Sequence, residues 1–270
     1  MTITIHHFKT GMVEVDRALL YHQESTNPLA YTGLFRSPKH RVLIPVSSYL
    51  IEHPQGRLLI DTGWHKDVRQ HAKKHLGYRY LFSKPYLPEG WAVDERLQSL
   101  GLTAQDLDYV LLSHLDLDHA GGLAHVATAK KILVHSLEWQ TAQKDKLRYM
   151  DSLWQGITFE TFDTKGSQVF GKSSLDLFGD DSVHLVHTPG HSLGLTSVVV
   201  KNAVGEFIVL ASDVGYAGDS LERLKIPGVL ADKSAAVASL MWLKDLSGKE
   251  KCRGIYFNHD TSKQDSSIIL

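Results

Sequence analysis

The chain has 270 residues, 43% hydrophobic and 22% charged, a composition that excludes general disorder and leaves length enough for a large core. Its 29 Lys and Arg stand against 30 Asp and Glu, a net charge of −1, which argues against a surface built to hold nucleic acid or an anionic membrane. One cysteine, Cys252, excludes an intrachain disulfide and a thiolate-rich zinc site, whereas 16 histidines turn attention to metals and proton transfer.

In chain order, residues 2–8 predict a first strand. The same stretch has neither the basic region nor the apolar core of a secretory signal, so a cytoplasmic location is expected. Residues 21–41 carry turn formers (Asn27-Pro28, Gly33, Ser37-Pro38) and read as irregular. Strands are predicted over 42–51 and 57–60 and a helix over 64–76. Segment 78–91 holds Tyr78, Tyr80, Phe82, Tyr86 and Trp91 and reads as a lid, an interface or core cover. A helix over 94–100, strands over 109–113 and 131–135, and a helix over 136–147 follow. Further strands are predicted over 157–162, 183–187, 196–200, 207–211 and 254–258. Before the last lies a helix over 232–246, where Ala236, Leu240 and Leu243 recur at helical spacing and Asp232 or Ser234 caps the start. No apolar run reaches the ~18 residues of a membrane span. With no Pro-, Gly- or Ser-rich linker, the pattern predicts one mixed α/β domain over residues 1–270.

The densest chemistry follows the apolar run 109–112. His114, Asp116, Asp118 and His119 fall within six consecutive residues, ahead of Gly121-Gly122. In extended geometry His114, Asp116 and Asp118 share one side, and a turn after Asp118 would bring His119 round to them. Three more ligand types stand at strand ends or turns: His191 in Thr188-Pro189-Gly190-His191-Ser192, Asp213 after Leu210-Ala211-Ser212, and His259 after Tyr256-Phe257-Asn258. Asp61-Thr62-Gly63 ends an earlier strand. A rigid strand end is where a sheet presents ligands to a cleft.

These motifs, in this order, resemble the metallo-β-lactamase superfamily. Its His-x-His-x-Asp-His motif corresponds to 114–119, and its later His, Asp and His to 191, 213 and 259. The resemblance implies a four-layer αβ/βα sandwich with metals at the sheet edges. Within the superfamily the chain is most similar to the N-acyl-homoserine lactonases, through Tyr216 three residues after Asp213 and through Asn258-His259-Asp260. It implies two divalent ions, zinc first with manganese or iron as alternatives: one on His114, Asp116 and His191, the other on Asp118, His119 and His259, with Asp213 bridging. It also implies a hydrolase that opens an acyl lactone by attack of a metal-bridging hydroxide. Tyr216 would polarise the carbonyl and Asp118 would move a proton to the leaving group. Asp61 would orient a ligand.

The family has a second histidine where this chain has Asp116. An Asp oxygen hangs on Cγ, as does the Nδ1 through which that histidine binds, so its reach is similar. A third carboxylate should make the site more neutral and a weaker Lewis acid. Asp116→His is then expected to lower the acidic limb of the pH–rate profile. The other histidines read as surface or hydrogen-bonded. His71 and His75 share a helical face without an evident third ligand, and His187 is a candidate support for the site. The acyl group is expected against 78–91 or 21–41, with a dimer contact as the alternative. The partner expected is a small acyl lactone or ester as substrate, with no nucleic acid or membrane, and the chain is expected to be a monomer or homodimer. Alternatives are a thioesterase, another esterase or a phosphodiesterase, or a di-iron oxidoreductase, suggested by the carboxylate at 116.

Overall fold

The computed structural model describes residues 2–23 and 27–270. β1 (Thr4–Asp16), β2 (Arg41–His53) and β3 (Gly56–Ile60) run antiparallel as neighbours. α1 (Val68–Leu76), the short β4 (Lys84–Tyr86) and α2 (Val93–Ser99) follow, and β4 pairs with the far half of β1. β5 (Tyr109–Leu112), the single turn α3 (Leu117–Ala120), β6 (Lys131–His135), α4 (Ser136–Lys144) and β7 (Glu160–Phe162) come next, and their strands continue the sheet in parallel. A second sheet runs antiparallel through β8 (Ser167–Val169), β9 (Lys172–Asp176), β10 (Val183–His187), β11 (Thr196–Lys201) and β12 (Phe207–Ser212). After α5 (Gly218–Arg223) and α6 (Lys233–Ser247), β13 (Cys252–Phe257) lies parallel to β12, and β14 (Ser266–Ile269) returns to the first sheet beside β1.

The apolar faces explain the layering. Ile5, Ile51, Leu58 and Leu111 of the first sheet meet Leu185, Val198, Ile208 and Leu210 of the second, all at most 2% exposed. The outer face of the first sheet (Leu59, Val110, Val134) is covered by Val93, Leu97 and Ala142 of α2 and α4. The outer face of the second (Val199, Phe207, Val209) is covered by Ala236, Leu240, Leu243 and Leu246 of α6. Helix, sheet, sheet, helix is the four-layer αβ/βα sandwich expected. Asp232 caps α6 by accepting from Ala235 N–H at 2.9 Å.

Some elements differ from the sequence expectation. β1 runs 13 residues, well beyond residue 8, because Gly11 makes a bulge rather than a stop. Gly11 has φ 138°, and a Cβ there would lie 2.4 Å from Trp64 Cδ1, so the buried indole takes that space. Trp64 and His65 lie ahead of α1, which begins only at Val68. The strand expected over 157–162 shortens to Glu160–Phe162, since Ile157 and Phe159 pack on the helical side.

Candidate metal centre

Every ligand-type side chain singled out in the sequence stands near one edge of the sandwich, where strands of both sheets end. His114 follows β5. The extended stretch stops at Asp116, which has φ −68° and ψ 159° as N-cap of α3. Asp118 and His119 therefore sit on a helical turn rather than on the end of the strand. From the second sheet, Asp213 follows β12, His259 follows β13, and His191 lies between β10 and β11. Gly190 beside it has φ 146°, and a Cβ would come within 2.3 Å of Ala236 Cα, so the loop lies flat on α6. His114, His119, His191, Asp213 and His259 are all buried.

Donor atoms of His114, Asp116 and His191 lie within 4.8 Å of one another, as do those of Asp118, His119 and His259, and a third group joins Asp213 to His114 and His119. Asp116 Oδ2 is 2.9 Å from His191 Nε2 and 3.4 Å from His114 Nε2. Asp213 Oδ1 is 3.4 Å from His119 Nε2, while its Oδ2 is 3.3 Å from His259 Nε2 and 3.7 Å from His191 Nε2. Asp118 lies 3.5 Å from His259 Nε2 and 3.9 Å from His119 Nε2.

The far nitrogens of the same rings are tied down. His191 Nδ1 donates to Val229 carbonyl at 2.9 Å and His259 Nδ1 to Pro45 carbonyl at 2.7 Å. His119 Nδ1 donates to Asp61 Oδ2 at 2.8 Å. Asp61 also accepts from Ser113 N–H and Ser113 Oγ, both at 2.8 Å. That hydroxyl in turn accepts from His114 Nδ1 at 3.1 Å and lies 2.7 Å from Ser212 Oγ. A proton on Nδ1 of all four rings leaves each Nε2 lone pair facing inward, the arrangement that fixes histidine for metal ligation. Burial opposes a second proton on His119 and His259, but Asp213 and the neighbouring carboxylates outweigh it and raise both.

Ligand atoms around a tetrahedral ion with bonds of 2.0–2.1 Å stand ~3.3 Å apart, close to the separations here. His114 Nε2 and Asp213 Oδ1 are buried and have no hydrogen-bond partner among the described residues. An unpartnered buried polar atom costs ~1–3 kcal/mol, which a shared cation would relieve. The residues present therefore fit two divalent ions, and imidazole with carboxylate suits zinc, manganese or iron.

Sequence reasoning missed Arg148 and Glu138. Arg148 grips Asp116 with two bonds, Nε to Oδ1 and Nη2 to Oδ2, both 2.7 Å, while its Nη1 donates to His191 carbonyl at 2.8 Å. Burial opposes ionisation of Asp116, but Arg148 and the two neighbouring imidazoles outweigh it and hold the carboxyl well below its usual range. Burial, then the Arg148 charge, push His191 down, which favours its neutral form. Glu138, fully buried, accepts from Leu115 N–H and Gly194 N–H, each at 3.0 Å. It thus joins the loop after His114 to the loop after His191. Either residue reads in sequence as a solvated charge on or near a helix.

Tyr216 is 7% exposed, and its ring centroid lies 5.3 Å from that of His259. Burial, then Asp213, Asp118 and Asp116, raise its phenol well above the ordinary value, so the hydroxyl stays a donor. It lines a cavity of about 100 Å³ together with Asp116, Asp118, His191, Asp213 and His259 and with the apolar Val13, Val15, Leu20 and Ile44. A neighbouring hollow of about 750 Å³ shares Leu20 and is lined by Tyr21, Asn27 and Arg36. Segment 78–91 reaches the cavity only through Ser83, whereas Tyr80, Leu87 and Trp91 pack on Trp64 and Leu76. Of residues 21–41, positions 24–26 lie outside the described residues. His187 points away and stacks on His135. His75 meets His65 and Asp67 rather than His71. The donor atoms of His65, Asp67 and His75 lie within 4.8 Å of one another; the His65 and His75 rings stack 15° from parallel, and His65 Nδ1 accepts from Asp67 N–H.

The family model described as Metallo-beta-lactamase superfamily matches residues 41–241. An N-acyl homoserine lactonase of a Bacillus species is 25% identical over 258 residues, covering 95% of this chain and 94% of the relative. The N-acyl homoserine lactonase AttM of Agrobacterium fabrum is 29% identical over 213 residues, 76% of this chain and 78% of the relative. A solved structure of a B. thuringiensis AiiA variant with N-decanoyl-L-homoserine at its active site has TM-score 0.78 at 24% identity, covering 97% of this chain and 95% of that one. The dizinc quorum-quenching lactonase AidC, with a product bound, has TM-score 0.65 at 16% identity, covering 96% and 88%. These two structures share the fold. Among the described residues no helix is long and apolar enough to cross a membrane.

Proposed function

Because the chain belongs to the metallo-beta-lactamase superfamily, we propose that it is a metal-dependent hydrolase that opens the lactone ring of N-acyl homoserine lactones. The observation that carries this reading is Tyr216 lining a half-apolar cavity together with Asp116, Asp118, Asp213, His191 and His259, all members of one His and Asp cluster that also holds His114 and His119. The lactonase relatives support it.

His114, Asp116 and His191 would hold one ion, Asp118, His119 and His259 the other, and Asp213 would lie between them. The ions supply Lewis acidity and bring the pKa of water toward neutrality. The protonated Tyr216 hydroxyl donates to the lactone carbonyl oxygen as negative charge builds there. Asp118 takes a proton from the attacking water and returns it to the ring oxygen as the C–O bond breaks. Water is thereby added across the ester and a hydroxy acid leaves. Val13, Val15, Leu20 and Ile44 give the acyl chain an apolar wall, and the hollow lined by Tyr21 and Arg36 gives it room. The same reading holds the chain to one domain over residues 1–270, a cytoplasmic location, and a monomer or homodimer. It makes the partner a small molecule, with no nucleic acid or membrane.

The test is proton release from a medium-chain N-acyl homoserine lactone by zinc-loaded protein, with metal counted on the same sample. About two ions per chain and ring opening that is lost in Asp213→Ala are expected. Two ions without ring opening would move the reaction to another ester, a thioester or a phosphoester. One ion or none would overturn the two-metal centre.

A further inference from the structure

We propose that Asp116 and Arg148 act as one unit in place of a neutral ligand, with Arg148 the positioning residue that aims Asp116 at the metal centre. This rests on reading the cluster as a metal centre.

A carboxylate has about four lone-pair directions, and a guanidinium fork takes one on each oxygen. The fork from Arg148 occupies one side of Asp116, through Oδ1 and Oδ2. The free side of Oδ2 is left facing His114 and His191. The fork fixes the plane of the carboxylate without using the lone pair that points inward. The third bond from Arg148, to His191 carbonyl, locks the neighbouring ligand loop to the same group. Asp116 is free for this role because its side chain makes no hydrogen bond as the cap of α3.

The charge count changes as well. Asp116 alone would subtract one charge from a site that has histidine there in the family. The pair adds −1 and +1, so the centre keeps the net charge it would have with a neutral imidazole. The expectation that the site is a weaker Lewis acid therefore does not follow. Lysine cannot reproduce the arrangement, because one ammonium cannot present a planar fork and reach a carbonyl besides.

The experiment is a double-mutant cycle read by zinc affinity, measured on apo protein with a competing chromophoric chelator, alongside apo melting curves. Arg148→Met and Arg148→Lys should each weaken one of the two zinc sites by about 10- to 100-fold, the usual effect of removing support from a ligand. Asp116→His alone should weaken it too, since it strands the guanidinium. Asp116→His with Arg148→Met should return zinc affinity to within about threefold of the parent. Rescue by the double variant separates positioning from mere packing, and Arg148→Lys serves if Arg148→Met fails to fold. Single variants that bind both ions as the parent does would overturn the proposal, as would a double variant no better than Arg148→Met. Parent protein that binds no zinc would instead overturn the metal-centre reading beneath it.

Discussion

Glu138→Gln isolates one buried carboxylate whose two oxygens each accept a backbone N–H, from Leu115 and from Gly194. A glutamine keeps the shape but offers one oxygen and one NH2 group. One of the two N–H groups then faces a donor with no water to turn to. Losing a charge-assisted bond and stranding a buried donor costs ~2–3 kcal/mol. For a chain of this size, at roughly 2 °C per kcal/mol, that lowers Tm by ~4–6 °C. Gly194 leaves no slack, since even a Cβ there would lie 2.2 Å from Glu138 N. Both tethered loops carry donors of the His114, Asp116 and His191 group, so zinc affinity there should fall about tenfold while the Asp118, His119 and His259 group is spared. Calorimetry of the apo protein reads the first effect and chelator competition the second. A variant within 1 °C and twofold of the parent, an order-of-magnitude bound on measurement scatter, would show that Glu138 does not hold these loops.

Tyr216→Phe should lower kcat by roughly 10- to 100-fold with zinc content and KM little changed, if the hydroxyl supports only the developing oxyanion; steady-state kinetics on the loaded enzyme decide it. His135 is held near a pKa of about 4 by burial, then by His187. Its folded pKa lies below the unfolded 6.5, so the unfolded chain binds the extra proton and stability falls as pH drops from 6.5 toward 4, by up to ~1.4 kcal/mol per pH unit. His135→Asn keeps an acceptor for Leu137 N–H, which His135 Nδ1 now takes at 3.2 Å, and should flatten that slope in urea titrations across this range. Leu240→Ala, in the fully buried face of α6, should cost ~2–5 kcal/mol by denaturant melts while leaving the zinc count at the parent value.

The four layers were legible because their causes are local. Ala236, Leu240 and Leu243 recur at helical spacing, and the apolar run 109–112 predicts a buried strand. The cluster at 114–119 was legible because its chemistry is packed into six residues. The rest depends on contacts that sequence spacing does not carry. Gly11 looks like a stop and is a bulge filled by Trp64, fifty-three positions on. The β8–β9 hairpin is rich in serine, and its pairing supplies what its side chains do not advertise. Arg148 follows Asp145-Lys146-Leu147 with no periodic signal, yet it bonds a residue thirty-two positions earlier. From sequence, Asp116 could only be counted as surplus negative charge; the cation that offsets it appears when α4 delivers the following loop to the site.

The bond between Ser113 Oγ and Ser212 Oγ, 2.7 Å across 99 positions, spans the seam between the two sheets. Its neighbours on either side supply His114 from one sheet and Asp213 from the other. Neither half offers the donor set by itself. High-affinity zinc uptake during refolding should therefore lag behind secondary structure and arrive with sheet docking, as a late event in a chain of long-range contacts. Bound zinc would then slow unfolding far more than it speeds folding, because the contacts it stabilises are absent at the barrier. A filled centre would double as a latch on the lifetime of the fold.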